Sequence, residues 1–205
     1  ALRCGPNGQD GLGGHAHNDQ LSIELCVDDL PFVIDPGTYL YTADPEWRNR
    51  FRSTRVHNTL AVDGLEQSDW LPESRGLFLL ADQAHATPLW YDENSFLGEH
   101  FGFEVPHRRS VTVSDTVCQF SDICDTTAGK TIGLTLHPEV EIQASTNGGA
   151  VLLRRGSTTV EFACDGHEIS TVEGWWSPGY GQKIKTRCVS VYTNATQLDW
   201  TLSVL

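Results

Sequence analysis

The sequence predicts an all-β protein, a large antiparallel β-sandwich with few short helices. Stretches of β-branched and aromatic residues alternate with polar residues along most of the 205-residue chain, which is the period-2 pattern of half-buried strands. These stretches end at turn signals built from Gly, Pro, Asn or Asp. No interior stretch is rich enough in Pro, Gly or Ser to divide the chain, so we expect a single domain over residues 1–205.

Strand and turn signals recur along the whole chain. A strand over 21–27 ends at the turn Asp28-Asp29, and a return strand near 32–34 stops at Asp35-Pro36-Gly37, a strong turn signal. Asn147-Gly148-Gly149 predicts a hairpin tip. The remaining predicted strands are 58–62, 76–83, 101–105, 110–113, 131–136, 140–144, 151–154, 158–163, 183–192 and 198–204. A count of this size is typical of a sandwich.

One segment has the pattern of a short helix. Asp44 is a capping residue, Pro45 suits the first turn, and Glu46 places an acid near the helix start. Trp47 and Phe51 follow with a spacing of four, so they would share one face of the helix.

The charge balance limits the partners of the chain. With 14 Lys and Arg against 27 Asp and Glu, the net charge is −13, so we expect no nucleic-acid partner. No run of about 18 apolar residues is present, so we expect no membrane insertion.

The absence of Met and the first residue, Ala1, suggest a processed chain or a domain of a longer protein. Six cysteines without a CxxC pair disfavour a zinc ribbon, and their disulfide state and the compartment stay open.

Three separated segments carry candidate metal ligands. His15 and His17 are two residues apart, so in an extended segment both could face one site. The hairpin near Asp28-Asp29 would bring Asp35 within reach of His17, and His57 opens the next predicted strand. Two imidazoles and one carboxylate from His17, Asp35 and His57 form a plausible Zn²⁺ ligand set. The alternative is that these histidines are hydrogen-bonded at strand ends and that Asp35 only starts a turn.

The segment 48–55 holds four arginines, at positions Arg48, Arg50, Arg52 and Arg55, in a chain otherwise rich in acid. Clustered guanidinium groups bind carboxylates or sulfates through paired hydrogen bonds. A local patch of this kind would decide whether a polyanion docks, because net charge is screened over about 10 Å. The alternative is a solvated helix face whose arginines pair with Asp44 and Glu46.

Four motifs in close succession carry a resemblance to a known family. They are GGHAHND at 13–19, VIDPGTY at 33–39, WRNRFRST at 47–54 and HNTLAVDG at 57–64, and weaker pieces are HRR at 107–109, LHP at 136–138 and SPGYG at 177–181. In this order they resemble the heparinase II/III family, and the resemblance covers most of the chain.

The resemblance implies that the chain is the C-terminal β-sandwich of a polysaccharide lyase whose N-terminal α/α toroid is missing from it. Members of this family cleave acidic polysaccharides that contain uronic acid, such as heparan sulfate or alginate, by β-elimination. It further implies a structural zinc at positions matching His17, Asp35 and His57, and an active-site role for His15. The alternative for His15 is a second zinc ligand or a packed strand-end histidine. Because other catalytic residues would lie in the toroid, we expect the isolated chain to be inactive.

Two other functions compete with this one. A noncatalytic carbohydrate-binding or scaffolding module would use Trp47, Trp175, Trp176 and Tyr180 with the arginines as a sugar-binding surface, although such aromatics more often pack in a core. A cupin-like oxygenase also carries His-x-His, but the glutamate expected soon after the second histidine is absent, because Leu21 and Ser22 occupy that place.

Overall fold

Fourteen strands form three antiparallel sheets in the computed structural model, which describes residues 1–72, 74–144 and 149–205. The strands are β1 (Leu25–Val27), β2 (Leu30–Val33), β3 (Leu60–Val62), β4 (Thr87–Tyr91), β5 (Ser95–His100), β6 (His107–Val113), β7 (Val117–Cys124), β8 (Lys130–Thr135), β9 (Glu141–Ala144), β10 (Ala150–Arg155), β11 (Thr158–Ala163), β12 (Ile169–Gly179), β13 (Gln182–Thr193) and β14 (Gln197–Val204). The helical elements are α1 (Pro45–Phe51) and the 3-10 helices Thr54–Val56 and Ser74–Leu77. Within the described ranges, no helix combines the length and apolar character required to cross a membrane.

The two larger sheets pack face to face. The first has eight strands in the order β4-β5-β6-β7-β14-β11-β10-β9, the second has four in the order β12-β13-β8-β3, and β1 and β2 form a separate hairpin. Both larger sheets contribute to one buried apolar cluster, with Leu134 and Val189 from the four-stranded sheet and Phe162 and Trp200 from the eight-stranded sheet. The predicted all-β sandwich is confirmed.

A charged network is buried inside this core. Asp122 on β7 is fully buried and accepts hydrogen bonds from Arg109 Nε at 2.7 Å, His107 Nε2 at 2.7 Å and Trp200 Nε1 at 2.8 Å. Burial alone would raise the pKa of Asp122, but the Arg109 guanidinium and the hydrogen bond from His107 hold that pKa well below its usual range. The network therefore joins β6, β7 and β14 through an ionised carboxylate.

The predicted helix is confirmed, with Pro45 in its first turn. The side chain of Asp44 accepts hydrogen bonds from the backbone N–H groups of Glu46 and Trp47 at 3.1 and 3.2 Å. These bonds satisfy donors that a helix start would otherwise leave without partners. Phe51 is buried, and its ring centroid lies 6.0 Å from that of Trp47, so the two residues share one face of the helix as the spacing predicted.

Two strand predictions are wrong. Residues 76–83 begin inside the 3-10 helix Ser74–Leu77 and continue as irregular chain. The carbonyl groups of Gly76, Leu77 and Leu79 accept hydrogen bonds from the side chains of Arg48 in α1 and Arg52 just after it. Residues 101–105 form the turn between β5 and β6, where Glu104 has a φ of +64°. A strand cannot continue through that backbone conformation.

Four observed strands were not predicted from the sequence, and their burial patterns and residue types show why. All five residues of β4 are exposed, and β5 is only partly buried, so neither shows a strong inward stripe. The inward positions of β7 include Asp122, which breaks the apolar period. Gly174 and Pro178 interrupt the pattern of β12. Of the predicted hairpin tip, Asn147 and Gly148 lie outside the described residues.

Candidate functional site

Three chain segments converge at one end of the sandwich, between α1 and the β1-β2 hairpin. His17 lies in the loop before β1, Asp35 follows β2, and His57 follows the 3-10 helix that precedes β3. One potential ligand atom from each of these three residues lies within 4.8 Å of the other two. The structure therefore brings together the three residues that the sequence suggested as metal ligands.

His57 and Asp35 form a direct pair within this cluster. The ring nitrogen Nδ1 of His57 lies 2.9 Å from Oδ2 of Asp35, and the His57 side chain is fully buried. Burial favours the neutral ring, but the Asp35 carboxylate and its hydrogen bond outweigh burial and raise the pKa of His57. Burial likewise opposes ionisation of Asp35, yet His57 and the Gly37 N–H lower the pKa of that carboxyl to about 2. Without a metal, the pair is thus held as an ion pair.

His17 is held in the opposite protonation state. Its Nε2 lies 3.0 Å from Nη1 of Arg48 and 3.4 Å from Oγ1 of Thr38. Burial lowers the pKa of His17 well below its usual value, and the neighbouring charges of His57 and Arg48 lower it further. A neutral imidazole is the form in which histidine binds a metal.

The donor set fits a divalent metal such as zinc. Among the described residues, His57 Nε2 is a buried side-chain atom without a hydrogen-bond partner, and such an atom is costly unless a ligand satisfies it. Asn18 Oδ1 and Arg48 Nη2 also have no partner there, but the guanidinium N–H only donates and cannot bind a metal. Imidazole and carboxylate are ligand types of protein zinc sites, and with three ligands from this chain a water molecule or another group would take the fourth position of a tetrahedral ion. The Arg48 cation beside His17 opposes a bound cation, but the Asp35 carboxylate compensates its charge.

Asn58 ties the three segments together, a role that no sequence pattern indicated. Its side-chain N–H₂ donates to the carbonyls of Ile23 and Ile34 at 2.8 and 2.9 Å, and its Oδ1 accepts from the N–H of Thr135 at 2.7 Å. Arg109 adds hydrogen bonds to the carbonyls of Leu21 and Asn58. The buried network of the core is thereby linked to the loops that carry His17 and His57.

Glu66 forms a second cross-link between the segments of His17 and His57, which the sequence did not indicate. Its carboxylate accepts from the Asn18 side chain at 3.0 Å and from the backbone N–H and the hydroxyl of Thr54, both at 2.7 Å. The residue after His17 and the segment before His57 are thus joined through one carboxylate. Asn58 and Glu66 are ordinary polar residues in the sequence, and only the folded chain reveals their partners.

His15 has a different setting from His17, because its side chain is exposed. Its backbone has a φ of +64°, which is unfavourable for a residue other than glycine, and its N–H donates to the Phe78 carbonyl at 2.7 Å. The imidazole meets the rings of Tyr41 and Phe78 edge-on, at centroid distances of 4.9 and 5.5 Å. A strained backbone and two aromatic contacts thus hold His15 at the surface beside the cluster.

The four arginines of the predicted patch do not share one exposed surface. Arg48 and Arg52 are buried, and they donate to the carbonyls of Leu77 and of Gly76 and Leu79, respectively. Arg50 and Arg55 are exposed. Of the four, these two present their guanidinium groups to solvent, and that of Arg55 is paired with Asp63 at 2.7 Å. The buried pair instead holds the 76–79 segment against α1.

The four aromatic residues of the predicted sugar-binding surface also do not form one exposed surface. Tyr180 is 64% exposed and stacks on Tyr41 at a centroid distance of 5.6 Å. Trp47 and Trp175 meet edge-on at 5.6 Å and are half-buried, and Trp176 instead lies 5.1 Å from His137. The aromatic residues that contact His15 are therefore Tyr41 and Phe78, and Tyr180 stacks on Tyr41.

Comparison with known proteins gives a consistent result. A family model described as heparinase II/III-like, C-terminal, matches residues 1–201. The structure of a heparinase III gene product with methylated lysines matches with a TM-score of 0.78 and 20% identity, over 100% of this chain and 32% of that chain. Heparan sulfate lyase HepC from Pedobacter heparinus matches with a TM-score of 0.78 and 18% identity, over 99% of this chain and 32% of that chain. No curated protein matches. The chain thus spans about a third of the length of these solved structures.

Proposed function

Because the chain belongs to the heparinase II/III-like C-terminal family, we propose that it is the C-terminal domain of a lyase that cleaves uronic-acid polysaccharides by β-elimination. In this reaction a base removes the proton at C5 of the uronic acid, the sugar carboxylate is neutralised, and an acid protonates the departing O4. The solved structures similar to this chain are about three times as long. We therefore assign the remaining catalytic groups to an N-terminal toroid domain, which is the proposed intramolecular partner.

The observation that carries the proposal is the contrast between His15 and His17. His17 is directed into the cluster with Asp35 and His57, whereas His15, two residues earlier, is exposed on a strained backbone. Strained conformations persist where the surrounding structure enforces them, which is common in active sites. We assign His15 to the reaction itself, where it assists proton transfer or neutralises the uronate carboxylate.

We assign a structural zinc to His17, Asp35 and His57. Bound there, the metal would supply a fixed cross-link between three loops, and β-elimination requires no metal-bound hydroxide. The three ligands are far apart in sequence, so they come together only when the chain is folded. The cross-link would keep the loop of His15 in place.

An acidic polysaccharide is the proposed substrate class. Arg50 and Arg55 are the members of the predicted arginine patch that remain exposed, and a guanidinium group pairs well with carboxylate and sulfate. Arg48 and Arg52 contribute indirectly, because they hold α1 against the segment that contacts His15.

The decisive experiment measures lyase activity in the parent protein that contains this chain together with its N-terminal part. Product formation is followed by the ultraviolet absorbance of the unsaturated uronic acid. We expect His15→Ala to lower turnover by about 100-fold or more if His15 acts as an acid or base. His85→Ala is the matched control, because His85 is also an exposed loop histidine and should have no effect. An unaffected rate in His15→Ala would remove His15 from the mechanism.

The same assay separates the lyase from a noncatalytic binding module. If the parent protein binds acidic oligosaccharides but releases no unsaturated product, a carbohydrate-binding role replaces the proposed one. The exposed ring of Tyr180 is the feature that such a module would use.

A further inference from the structure

Lys183 lies in a corner formed by three aromatic rings. Its ammonium nitrogen is 3.1 Å from the ring centroid of Trp47, 4.9 Å from that of Tyr39 and 5.0 Å from that of Trp175. The ring of Trp47 is nearly perpendicular to both of the others, with interplanar angles of 80° to Tyr39 and 88° to Trp175. The rings fix the position of the charge through cation–π attraction.

This ammonium lacks an anionic partner within the described residues. The neighbouring Lys185 pairs with Glu173 at 3.6 Å, whereas no ion pair or hydrogen bond to a described residue involves the Lys183 ammonium. An ammonium group has three N–H donors, and an aromatic face does not satisfy them as an oxygen acceptor does. Lys183 is only partly buried, so these donors remain available to a ligand.

A second cation lies beside the same indole ring. The guanidinium carbon of Arg50 is 5.0 Å from the centroid of Trp47, and Arg50 forms no ion pair with a described residue. A cavity of about 100 Å³ opens next to this group, and its lining includes Arg50, Arg55 and Trp175. Two unpaired cations around one ring are unexpected in a chain with a net charge of −13, and a bound anion would offset their mutual repulsion.

The aromatic corner is connected to the candidate site. Tyr39, one of its walls, is four residues after Asp35. The β12-β13 hairpin that carries Lys183 is fastened to the same loop, because the Gly181 N–H donates to the Tyr39 carbonyl at 2.8 Å and the Ser177 N–H donates to the Pro36 carbonyl at 2.8 Å. A polymer on the His15 surface could thus extend over this hairpin.

We propose that Lys183 and Arg50, set around the ring of Trp47, form a binding subsite for the carboxylate or sulfate group of an acidic sugar residue. The choice of a sugar ligand rests on the proposed function, whereas the selectivity for an anion rests on the two unpaired cations. The indole ring of Trp175, which lines the neighbouring cavity, would contact the apolar face of the same sugar, because Lys183 already covers the ring of Trp47.

The test is a calorimetric titration of the 205-residue chain with three oligosaccharide probes. Oligogalacturonate carries carboxylates only, a heparan sulfate oligosaccharide carries carboxylates and sulfates, and a maltooligosaccharide is neutral. We expect both acidic probes, or one of them, to bind, and the neutral probe to bind far more weakly. The stronger acidic probe identifies the preferred group.

Substitutions of two lysines on β13 test whether the acidic probe binds at Lys183. Lys183→Gln should weaken the acidic probe by about 10-fold, the scale of one charge-assisted hydrogen bond, and Lys183→Arg should retain most of the affinity. Lys185→Gln is the matched control, because it removes the same charge from the same strand at a residue that is already paired with Glu173. Circular dichroism and thermal melting establish that each variant is folded.

Three outcomes would overturn the subsite: no binding of either acidic probe, equal binding of the neutral probe, or equal losses in Lys183→Gln and Lys185→Gln. These results are independent of the lyase assay. A parent protein that produces unsaturated sugar while Lys183→Gln leaves binding unchanged would refute the subsite and support the proposed function. If the parent protein binds the acidic probe through Lys183 but forms no unsaturated product, the subsite is supported and the proposed lyase function is refuted.

Discussion

Removal of metal should lower the thermal stability of this chain by an amount that can be estimated. The three proposed ligands come from segments separated by 18 and 22 residues, so the unfolded chain cannot present them together and binding stabilises only the folded state. A metal present at 100 times its dissociation constant contributes about 2.7 kcal/mol. For a chain of 205 residues, each kcal/mol shifts the melting temperature by about 2–4 °C.

We therefore expect a strong chelator to lower the melting temperature by about 5–10 °C. Differential scanning calorimetry of the zinc-loaded chain, before and after chelation, measures this shift, and added zinc should reverse it. His57→Ala should lose the response to chelator, since it removes one ligand. His15→Ala should keep the response, because His15 lies outside the ligand cluster. An unchanged melting temperature together with no metal by elemental analysis, or an undiminished response in His57→Ala, would show that these three residues hold no stabilising metal.

Three further predictions concern the core, the loop and the pH dependence. Asp122→Asn should lower the free energy of unfolding by about 3–5 kcal/mol in urea titration, because it leaves the Arg109 charge buried without its partner. Gly13→Ala should cost about 1–3 kcal/mol by the same measurement, since Gly13 has a φ of +55° and closely approaches a carbonyl oxygen. In the chelated chain, the raised pKa of His57 stabilises the fold below the ordinary value of 6.5 and loses that effect as the pH rises through the folded-state pKa. His17, His100 and His107 have lowered pKa values and contribute changes of the opposite sign. The effect of His57 is therefore read as a difference: from mildly acidic to alkaline pH, the melting temperature of the wild type should fall relative to that of Asp35→Asn.

Each of these predictions has a matched control. Asp199→Asn removes an exposed carboxylate from the neighbouring strand β14 and should cost far less than Asp122→Asn. Gly64→Ala also places a side chain at positive φ, +77°, but no atom lies within 4 Å of the added Cβ, so its cost should be smaller. Equal losses within either pair would contradict the explanation from burial or from close approach. Identical pH profiles in the wild type and Asp35→Asn would contradict the explanation from the ion pair.

The sequence was informative where a local pattern determines the structure. The cap at Asp44 and the proline after it predicted α1, because helix starts depend on nearby backbone donors. The turn at Asp35-Pro36-Gly37 and the spacing of the histidines suggested the convergence of His17, Asp35 and His57. Their proximity in the structure agrees with that suggestion, whereas metal binding itself stays a prediction.

The sequence was uninformative where partners come from distant segments. Four clustered arginines suggested a single exposed patch, but Arg48 and Arg52 are buried because carbonyl groups some 24 to 29 residues later accept their hydrogen bonds. The same is true of Asn58, whose three backbone partners lie 24, 35 and 77 residues away. Such contacts depend on the sheet arrangement, which no local period encodes.

The central claim is that His17, Asp35 and His57 hold one zinc ion beside an exposed His15. Anomalous diffraction at the zinc absorption edge, from crystals of the chain purified without chelator, tests this claim most directly. We expect a single strong anomalous peak at about 2.0 to 2.2 Å from one ligand atom of each of the three residues, with the His15 ring outside the coordination sphere. The absence of a peak in crystals supplied with zinc, or a peak whose ligands include His15, would contradict it.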